Sequence, residues 1–196
     1  MKEKTKRQLA CIGTTSYVVL KTIGTVGLVV SAFAFPGLAH VLGALEPKRR
    51  PYMPPCRVRG ILGGLRARGL IELTTHEDKR FYTLSAGGQS LLAAYELKQK
   101  RIRRPLRWDN KWRLVLFDVK EKRRPSRDGL RATLKNLGFI RLQDSVWIYP
   151  FDCEEIIELA RTAHATRFDA LYIVTNRFPL DEKYVRAFNL EKHRKK

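Results

Sequence analysis

Residues Trp112 to Tyr149 read WRLVLFDVKEKRRPSRDGLRATLKNLGFIRLQDSVWIY, and this stretch decides the fold of the second half of the chain. Its first part, Trp112 to Val119, is a nearly continuous apolar run, which is typical of a central β-strand. A helix follows, N-capped by Ser126, with leucines at helical spacing along its buried side. Two short predicted strands, Phe139 to Leu142 and Ser145 to Tyr149, complete the stretch.

The residues that follow continue this alternation of strands and helices. Asp152 is predicted to begin a second helix, and Glu155 completes a capping-box pair with it. Ala170 to Val174, ALYIV, is predicted as the last strong strand. The resulting order, βαββαβ, is that of a ferredoxin-like fold, to which we assign residues 108–180. Many functions use this fold, so the fold does not by itself indicate one.

Net charge is the first indication of function. The chain has 39 basic and 19 acidic residues, a formal net charge of +20, and residues 46–107 hold 15 of the basic and 5 of the acidic ones. Such an excess costs self-repulsion in the folded state and is typical of proteins that bind a polyanion. Nucleic acid is the favoured partner class, followed by an anionic membrane surface. The three scattered cysteines are typical of a reduced cytoplasmic protein and predict neither a disulfide framework nor a zinc site.

An arginine-rich helix is predicted in the middle of the chain. In RVRGILGGLRARGLIEL, residues 57–73, apolar side chains from Val58 to Leu65 recur at helical spacing and form a buried stripe. Arg59 and Arg66 lie seven positions apart and share another face of this helix. Gly69 ends the helix at a position that favours a left-handed backbone.

The elements around this helix follow the order of a winged helix-turn-helix. A strand over 70–73, a polar turn over 76–79 and a returning strand over 80–84 are predicted after it. In that motif the second helix enters the major groove, while the hairpin touches the DNA backbone. The alternative is an ordinary amphipathic helix with a solvated arginine face. The predicted nucleic-acid-binding residues are Arg57, Arg59, Arg66 and Arg68 on the helix and Lys79 and Arg80 on the hairpin.

A basic segment, KQKRIRRPLR, occupies residues 98–107 and is predicted to link the two domains. We expect its cations to follow phosphates, so that each phosphate neutralised steepens the salt dependence of binding by about one log-log unit. The residues expected to do so are Lys100, Arg101, Arg103 and Arg104.

An apolar stretch lies near the N-terminus. Thr22 to Leu45 contains no formally charged residue and is long enough to cross a bilayer. Pro36 and Gly37 interrupt it, so two buried helices are favoured over a membrane anchor. The predicted domains are an apolar helical segment at 1–45, a winged-helix core at 46–97, the linker at 98–107, the ferredoxin-like domain at 108–180 and a basic tail at 181–196.

The second half of the chain resembles a known family. Three motifs carry the resemblance: FD at Phe117 and Asp118, RxxLRxxLKxLGF from Arg127 to Phe139, and QDSVW from Gln143 to Trp147. Over Trp108 to about Phe178 they are similar to the C-terminal domain of PaaX-like transcriptional regulators. That domain is itself similar to the small CRISPR-associated endonuclease that pairs with the Cas integrase. The arginine-rich middle segment looks more loosely like the winged-helix half of the same regulators.

The resemblance implies a possible role for Asp118. In the CRISPR-associated endonucleases, the acid at this position lies near its twin across a two-fold dimer and is implicated in holding a divalent metal. Mg²⁺ prefers such oxygen ligands. The alternative function is therefore a Mg²⁺-dependent nuclease, or the small subunit of a spacer-integration complex with a CRISPR integrase as partner, with Asp118 as its catalytic and metal-binding residue. The favoured interpretation is that Asp118 only ends the strand and is paired with a cation or hydrogen-bonded by the following loop.

The sequence thus predicts a cytoplasmic α+β protein that binds double-stranded DNA as a homodimer and regulates transcription. The winged helix supplies arginines to the DNA, and the ferredoxin-like domain dimerises through its exposed sheet edge. DNA binding requires no cofactor in this interpretation, and only the nuclease alternative needs Mg²⁺.

Overall fold

A computed structural model of the chain describes residues 13–26, 28–30, 55–76, 79–166, 169–176 and 181–193. The chain divides into two compact units, Met1–Leu92 and Ala93–Lys196. The division falls inside a helix, Ala86–Gln99, which is called α3 below. Both units combine helices with an antiparallel sheet, so the α+β class expected from the sequence is confirmed.

The first unit contains a three-stranded antiparallel sheet. Helix α1, Thr14–Val26, precedes strand β1, Leu28–Val30, and helix α2, Pro55–Ala67, precedes the hairpin of β2, Ile71–His76, and β3, Lys79–Leu84. The strands lie in the order β1-β3-β2, which makes β3 the central strand. Ile71 pairs with Leu84 at the open end of the hairpin, and His76 pairs with Lys79 at the other end.

The two helices and the sheet of this unit bury a common apolar core. Helix α1 packs against β3 and α2, and α2 packs against β2. A Cβ atom at Gly24 would lie 2.9 Å from the side chain of Leu84, so α1 approaches the sheet closely because this residue is glycine. The buried apolar residues are Val19, Leu20 and Ile23 on α1, Val58, Leu62 and Leu65 on α2, and Leu70, Ile71 and Leu91.

The second unit has the βαββαβ order that the sequence predicts. The strands lie in the order β5-β6-β4-β7, with every neighbouring pair antiparallel. A short helix, α6, follows the last strand. The elements are β4, Trp112–Phe117; α4, Arg124–Asn136; β5, Ile140–Gln143; β6, Val146–Tyr149; α5, Glu154–Ala163; β7, Ala170–Thr175; and α6, Asp181–Ala187.

Helices and sheet enclose the larger core of the molecule. Leu130 and Leu134 of α4 are fully buried, as the predicted leucine stripe requires. Ile157 and Ala160 of α5 are buried equally well. Trp112 contacts Tyr184 of α6 at a ring-centroid distance of 6.5 Å, so aromatic packing ties the last helix to the central strand.

The central strand is less uniformly apolar than its sequence suggested. The Arg113 side chain is only 7% exposed. Its guanidinium forms two bonds to the Asp109 carboxylate, at 2.6 and 2.7 Å, and donates to the Pro150 carbonyl at 2.8 Å. The Nε atom of Arg113 is buried without a hydrogen-bond partner among the described residues. The bidentate carboxylate and the backbone carbonyl nevertheless compensate the buried charge, which explains how a cation lies within a core strand.

The predicted helix caps are wrong. Helix α4 begins at Arg124 with Arg123 as its N-cap, and Ser126 lies inside the first turn. Helix α5 begins at Glu154 with Cys153 as its N-cap, so Asp152 precedes the helix. Proline at the start of α4 fixes a helical φ by itself, and the acidic first turn of α5 offsets the helix dipole, so neither helix depends on a side-chain cap.

The apolar stretch Thr22–Leu45 does not begin with a buried helix that runs to Pro36, so the first of the two predicted buried helices is wrong. Its first residues complete α1, and Leu28–Val30 forms an edge strand that pairs with β3. The predicted helix break at Pro36 lies outside the described residues. Among the described helices, none combines the length and the apolarity that a membrane crossing requires.

Candidate nucleic-acid interface

Helix α2 presents arginines to solvent on the side opposite its buried stripe. Val58, Leu62 and Leu65 are each no more than 4% exposed and face the core. With roughly 100° between successive residues, Arg59 and Arg66 fall together on one edge of the outer face. Arg57 falls on the other edge, and all three arginines are exposed. Arg68 lies in the turn beyond the helix and is half-buried.

Between these two arginine edges, the outer face of α2 carries only small residues. Cys56, Gly60, Gly63, Gly64 and Ala67 are all exposed. A Cβ atom added at any of the three glycines would meet nothing within 4 Å in the part of the chain that the structure describes. Packing there does not require glycine, although each glycine costs the helix about 1 kcal/mol relative to alanine. We call this face, Cys56 to Ala67 between the arginines, the small-residue strip.

The C-terminal end of α2 is fixed by a Schellman turn. Gly69 has a φ of +67°, in the left-handed region that glycine adopts readily, as the sequence predicts. The Gly69 N–H donates to the Arg66 carbonyl at 2.8 Å, and the Leu70 N–H donates to the Leu65 carbonyl at 3.0 Å. The chain therefore leaves α2 in a defined direction and enters β2 directly.

The hairpin cations occupy the end of the hairpin far from α2. Lys79 and Arg80 are the first residues of β3, and their backbones pair with His76 and Thr75. A strand of this length spans about 20 Å, so these two residues begin β3 about that far from the junction with α2. The predicted hairpin is confirmed, and the turn residues 77–78 lie outside the described part.

The basic segment 98–107 belongs structurally to the second unit. Lys98 and Gln99 end α3, and the rest has no regular structure. Ile102 packs against the core, and the Lys100 ammonium forms an ion pair with the Glu155 carboxylate. Arg101, Arg103 and Arg104 are exposed. The cations that we expect to follow phosphates therefore lie together on one segment, which Ile102 anchors to the core. Among them, Lys100 is already paired with Glu155.

A cleft of about 680 Å³ separates this segment from the start of α5. Arg101 and Arg103 line one side, and Asp152 and Glu154 line the other. Cys153 lies at its base, 4% exposed, with its Sγ 3.8 Å from the Tyr172 hydroxyl. Burial raises the pKa of the Cys153 thiol to about 12, so at neutral pH the group is a protonated thiol and not a nucleophile.

Asp118 follows β4 directly and is exposed. Its backbone N–H donates to the Asp169 carbonyl at 2.9 Å. Within the described residues its carboxylate shows no hydrogen bond or ion pair, so the predicted hydrogen bonds from the loop at Lys120 to Lys122 are not formed. Pairing of Asp118 with a cation stays a prediction. Two nearby arginines bind other acids: Arg123, before α4, bonds to Asp169 at 2.7 Å, and Arg127, in α4, bonds to Glu121 at 2.8 Å.

The residues around Asp118 do not make a metal site within one chain. No group of three or more histidine, cysteine, aspartate or glutamate side chains suited to a metal ion occurs among the described residues. Asp118 thus supplies one carboxylate, and Arg123 already holds the carboxylate of Asp169. These residues by themselves do not fit the oxygen-rich shell that Mg²⁺ prefers.

One surface was missed by the sequence analysis. The predicted strong strand ALYIV is an edge strand, and Leu171, Ile173 and Val174 of β7 are 62%, 41% and 48% exposed. Leu171 pairs with Leu116 and Ile173 pairs with Leu114, so these four side chains share one face of the sheet. We call this set the apolar sheet face. The continuous apolar run predicted the strand, but it does not reveal which face of the strand remains open.

Comparison with protein families identifies the second unit. Residues 105–183 match the family described as PaaX protein central Cas2-like domain. Residues 105–183 form a PaaX-like domain. The match covers the four-stranded sheet with α4 and α5, confirms the resemblance drawn from the FD, RxxLRxxLKxLGF and QDSVW motifs, and does not extend into the first unit. A search of curated proteins finds no match to the chain.

Proposed function

We propose that this PaaX-like protein is a transcriptional regulator that binds double-stranded DNA as a homodimer, with the first unit acting as a winged helix-turn-helix. The observation that carries the proposal is the outer face of α2, where arginines flank the small-residue strip. The order helix, strand, helix, hairpin and the strand order β1-β3-β2 suit a winged helix. In that motif, α2 is the helix that enters the major groove.

The chemistry of α2 suits a DNA groove. A major groove about 12 Å wide admits one helix, and a face without side chains brings the helix backbone closer to the base edges. Arginines on both edges then meet the phosphates on both sides of the groove and give salt-dependent affinity. Arg59 and Arg66 are the residues we expect to contribute most, because they lie one above the other along the groove direction.

The hairpin and the basic segment extend this surface in the proposal. Lys79 and Arg80 begin β3 at the end of the hairpin remote from α2, where a wing contacts the backbone. Arg101, Arg103 and Arg104 add cations from the second unit, and Lys100 would have to exchange Glu155 for a phosphate. Each such contact contributes to the salt dependence and little to the choice of sequence.

The proposed homodimer forms through the apolar sheet face. A second copy placed on it would bury Leu171 and Ile173, and such burial contributes about 1 to 3 kcal/mol for each side chain. The same residues of both copies would meet in an isologous contact. Two α2 helices would then address two half-sites of one duplex.

A duplex-binding titration tests the proposal. Fluorescence anisotropy with a labelled mixed-sequence duplex of about three helical turns gives the apparent Kd at several salt concentrations. We expect Arg59→Ala/Arg66→Ala to weaken binding at least tenfold and to lower the log-log salt slope by about two. Arg141→Ala/Arg186→Ala removes the same charge from exposed positions, 57% and 75% exposed, in the second unit. Equal losses from both double variants would show that only total charge matters and would contradict the proposal.

A second candidate function, a nuclease, is favoured by one observation. Asp118 lies exposed and unpaired at the end of β4 in a Cas2-like domain, among the residues described. Incubation with Mg²⁺ and labelled DNA or RNA tests it. Cleavage that is lost in Asp118→Ala and kept in Asp118→Glu would favour the nuclease, and intact substrates throughout would exclude it under those conditions. A CRISPR integrase as partner belongs to this candidate alone.

A further inference from the structure

A buried hydroxyl joins the end of α2 to the start of α3. Ser85 is 7% exposed, and its Oγ donates to the Gly69 carbonyl at 2.6 Å. The same Oγ accepts the Gly88 N–H at 3.1 Å, in the manner of an N-cap for α3. The hydroxyl therefore acts as a donor toward the end of α2 and as an acceptor toward α3.

The backbone of Leu70 and Gly88 packs closely beside this hydroxyl. The Ser85 N–H donates to the Leu70 carbonyl at 3.2 Å. A Cβ atom at Gly88 would lie 2.0 Å from the Leu70 oxygen, so α3 makes this contact only because the residue is glycine. Gly69, with its φ of +67°, is the residue at which the chain leaves α2. We call Ser85, Gly69, Leu70 and Gly88 the junction.

The junction includes the short connection that sets the direction of α2 relative to the hairpin. Between the last residue of α2, Ala67, and the first of β2, Ile71, there are only Arg68, Gly69 and Leu70. Ser85 follows Leu84, the last residue of β3, which pairs with Ile71. The hydroxyl thus links the turn that follows α2 to the end of β3. This bond holds the open end of the hairpin against the end of the helix.

We infer that Ser85 is a positioning residue for DNA recognition: its bond to the Gly69 carbonyl holds α2 at the angle to the β2–β3 hairpin that lets helix and wing contact one duplex together. The inference rests on the proposed function. Helix α2 has 13 residues and is about 20 Å long, so a rotation of about 10° at the junction moves its far end by about 3 Å. Such a displacement exceeds the tolerance of a hydrogen bond to a base edge.

A purely structural role as the N-cap of α3 is the competing explanation, and chemistry separates the two. Capping needs an acceptor for the Gly88 N–H, whereas positioning also needs a donor to the Gly69 carbonyl. Aspartate at this position accepts but, when ionised, cannot donate. Ser85→Asp therefore keeps the cap and removes the bond to α2, while Ser85→Thr keeps both.

The first measurement is sequence-specific binding. The probes are the tightest duplex that the wild-type protein selects from a randomised pool and a fixed mixed-sequence duplex. For Ser85→Asp we expect affinity for the selected duplex to fall about tenfold, with little change on the mixed-sequence duplex, and for Ser85→Thr we expect wild-type affinity for both. Wild-type selectivity in Ser85→Asp would overturn the inference, as would equal loss of selectivity in Ser85→Thr.

The second measurement reports the angle directly and does not depend on DNA. Nitroxide labels are placed on Cys56, at the start of α2, and on Thr75→Cys in β2, both exposed, in a Cys11→Ser background. Pulsed electron paramagnetic resonance should give one narrow distance for the otherwise wild-type protein and for Ser85→Thr, and a shifted or broadened one for Ser85→Asp. An unchanged distance in Ser85→Asp overturns the inference. Failure of the wild-type protein to bind any duplex would refute the proposed function and leave this distance to decide the role of Ser85.

Discussion

At the scale of single residues, the glycines of α2 are the feature that packing explains least. Gly60, Gly63 and Gly64 each face open space among the described residues, in a helix that alanine would stabilise. A partner molecule that approaches the helix backbone closely would explain why these three positions are glycine. The hydroxyl of Ser85 is a second such feature, since it bonds to Gly69, just beyond the end of α2, and to Gly88 in α3.

The substitution Gly63→Ala should change stability and duplex binding in opposite directions. The added methyl has room among the described residues, so we expect the free energy of unfolding to rise by up to about 1 kcal/mol, because helix propensity rises. The same methyl stands between α2 and the groove, so duplex affinity should fall several-fold. Chemical denaturation and anisotropy measure the two quantities. Gly13→Ala, also in open space but outside α2, is the control, and unchanged duplex binding by Gly63→Ala would contradict a close approach.

His164 gives the molecule a pH-dependent contact between α4 and α5. Its Nε2 lies 2.8 Å from the Thr133 hydroxyl, and Gly129 leaves room for the ring, since a Cβ there would lie 2.6 Å from Nδ1. Burial lowers the pKa of His164 below its ordinary value of 6.5. The folded state therefore favours the neutral ring, and this contribution is complete above the unfolded pKa and is lost as the pH falls through the lowered folded pKa.

We expect the Tm to fall more steeply between about pH 7 and pH 5 in the wild-type protein than in His164→Gln, which cannot titrate. Thermal unfolding followed by circular dichroism measures the difference. Parallel plots of Tm against pH for the two proteins would show that protonation of His164 is not linked to unfolding.

At the scale of elements, hydrophobic periodicity located strands β4 to β7 and helices α4 and α5 of the second unit to within a few residues. It did not locate α6, which lies in the segment predicted as a basic tail. Leucines at helical spacing place α4, and an apolar run places β4, because burial selects those patterns. The caps were wrong because Arg123 and Cys153 carry no capping side chain. The Ser85 bond to Gly69 was not predictable, because it joins residues 16 positions apart that only the folded hairpin brings together.

The open face of β7 was also beyond the sequence pattern, since alternation does not say whether anything covers a face. In the proposal a second copy covers it. We expect Leu171→Glu/Ile173→Glu to convert a dimer to a monomer, because two carboxylates would be buried without partners. Val174→Glu, 48% exposed on the opposite side of the same strand, should leave the dimer intact. Sedimentation measures the mass of each, and a dimeric Leu171→Glu/Ile173→Glu would contradict the proposed interface.

At the scale of the whole molecule, the two units have different roles in the proposed function. The first presents α2 and the hairpin, and the second brings two copies together, so each duplex is addressed twice. A formal net charge of +20 favours the binding of polyanions without selection, and in the proposal the geometry of α2 adds selection. The nuclease candidate uses another part of the second unit, at Asp118, and requires none of this geometry.

The most direct test asks whether the small-residue strip of α2 touches DNA. Cys56 is exposed on that strip and is a natural attachment site for a photo-crosslinker in a Cys11→Ser background. We expect illumination to join Cys56 to duplex DNA, with a yield that falls in Arg59→Ala/Arg66→Ala. Ala132→Cys in a Cys11→Ser/Cys56→Ser background places the same reagent on an exposed position of α4 and should give little product. No product from Cys56, or equal yields from the two positions, would contradict the assignment of α2 as the DNA-binding helix.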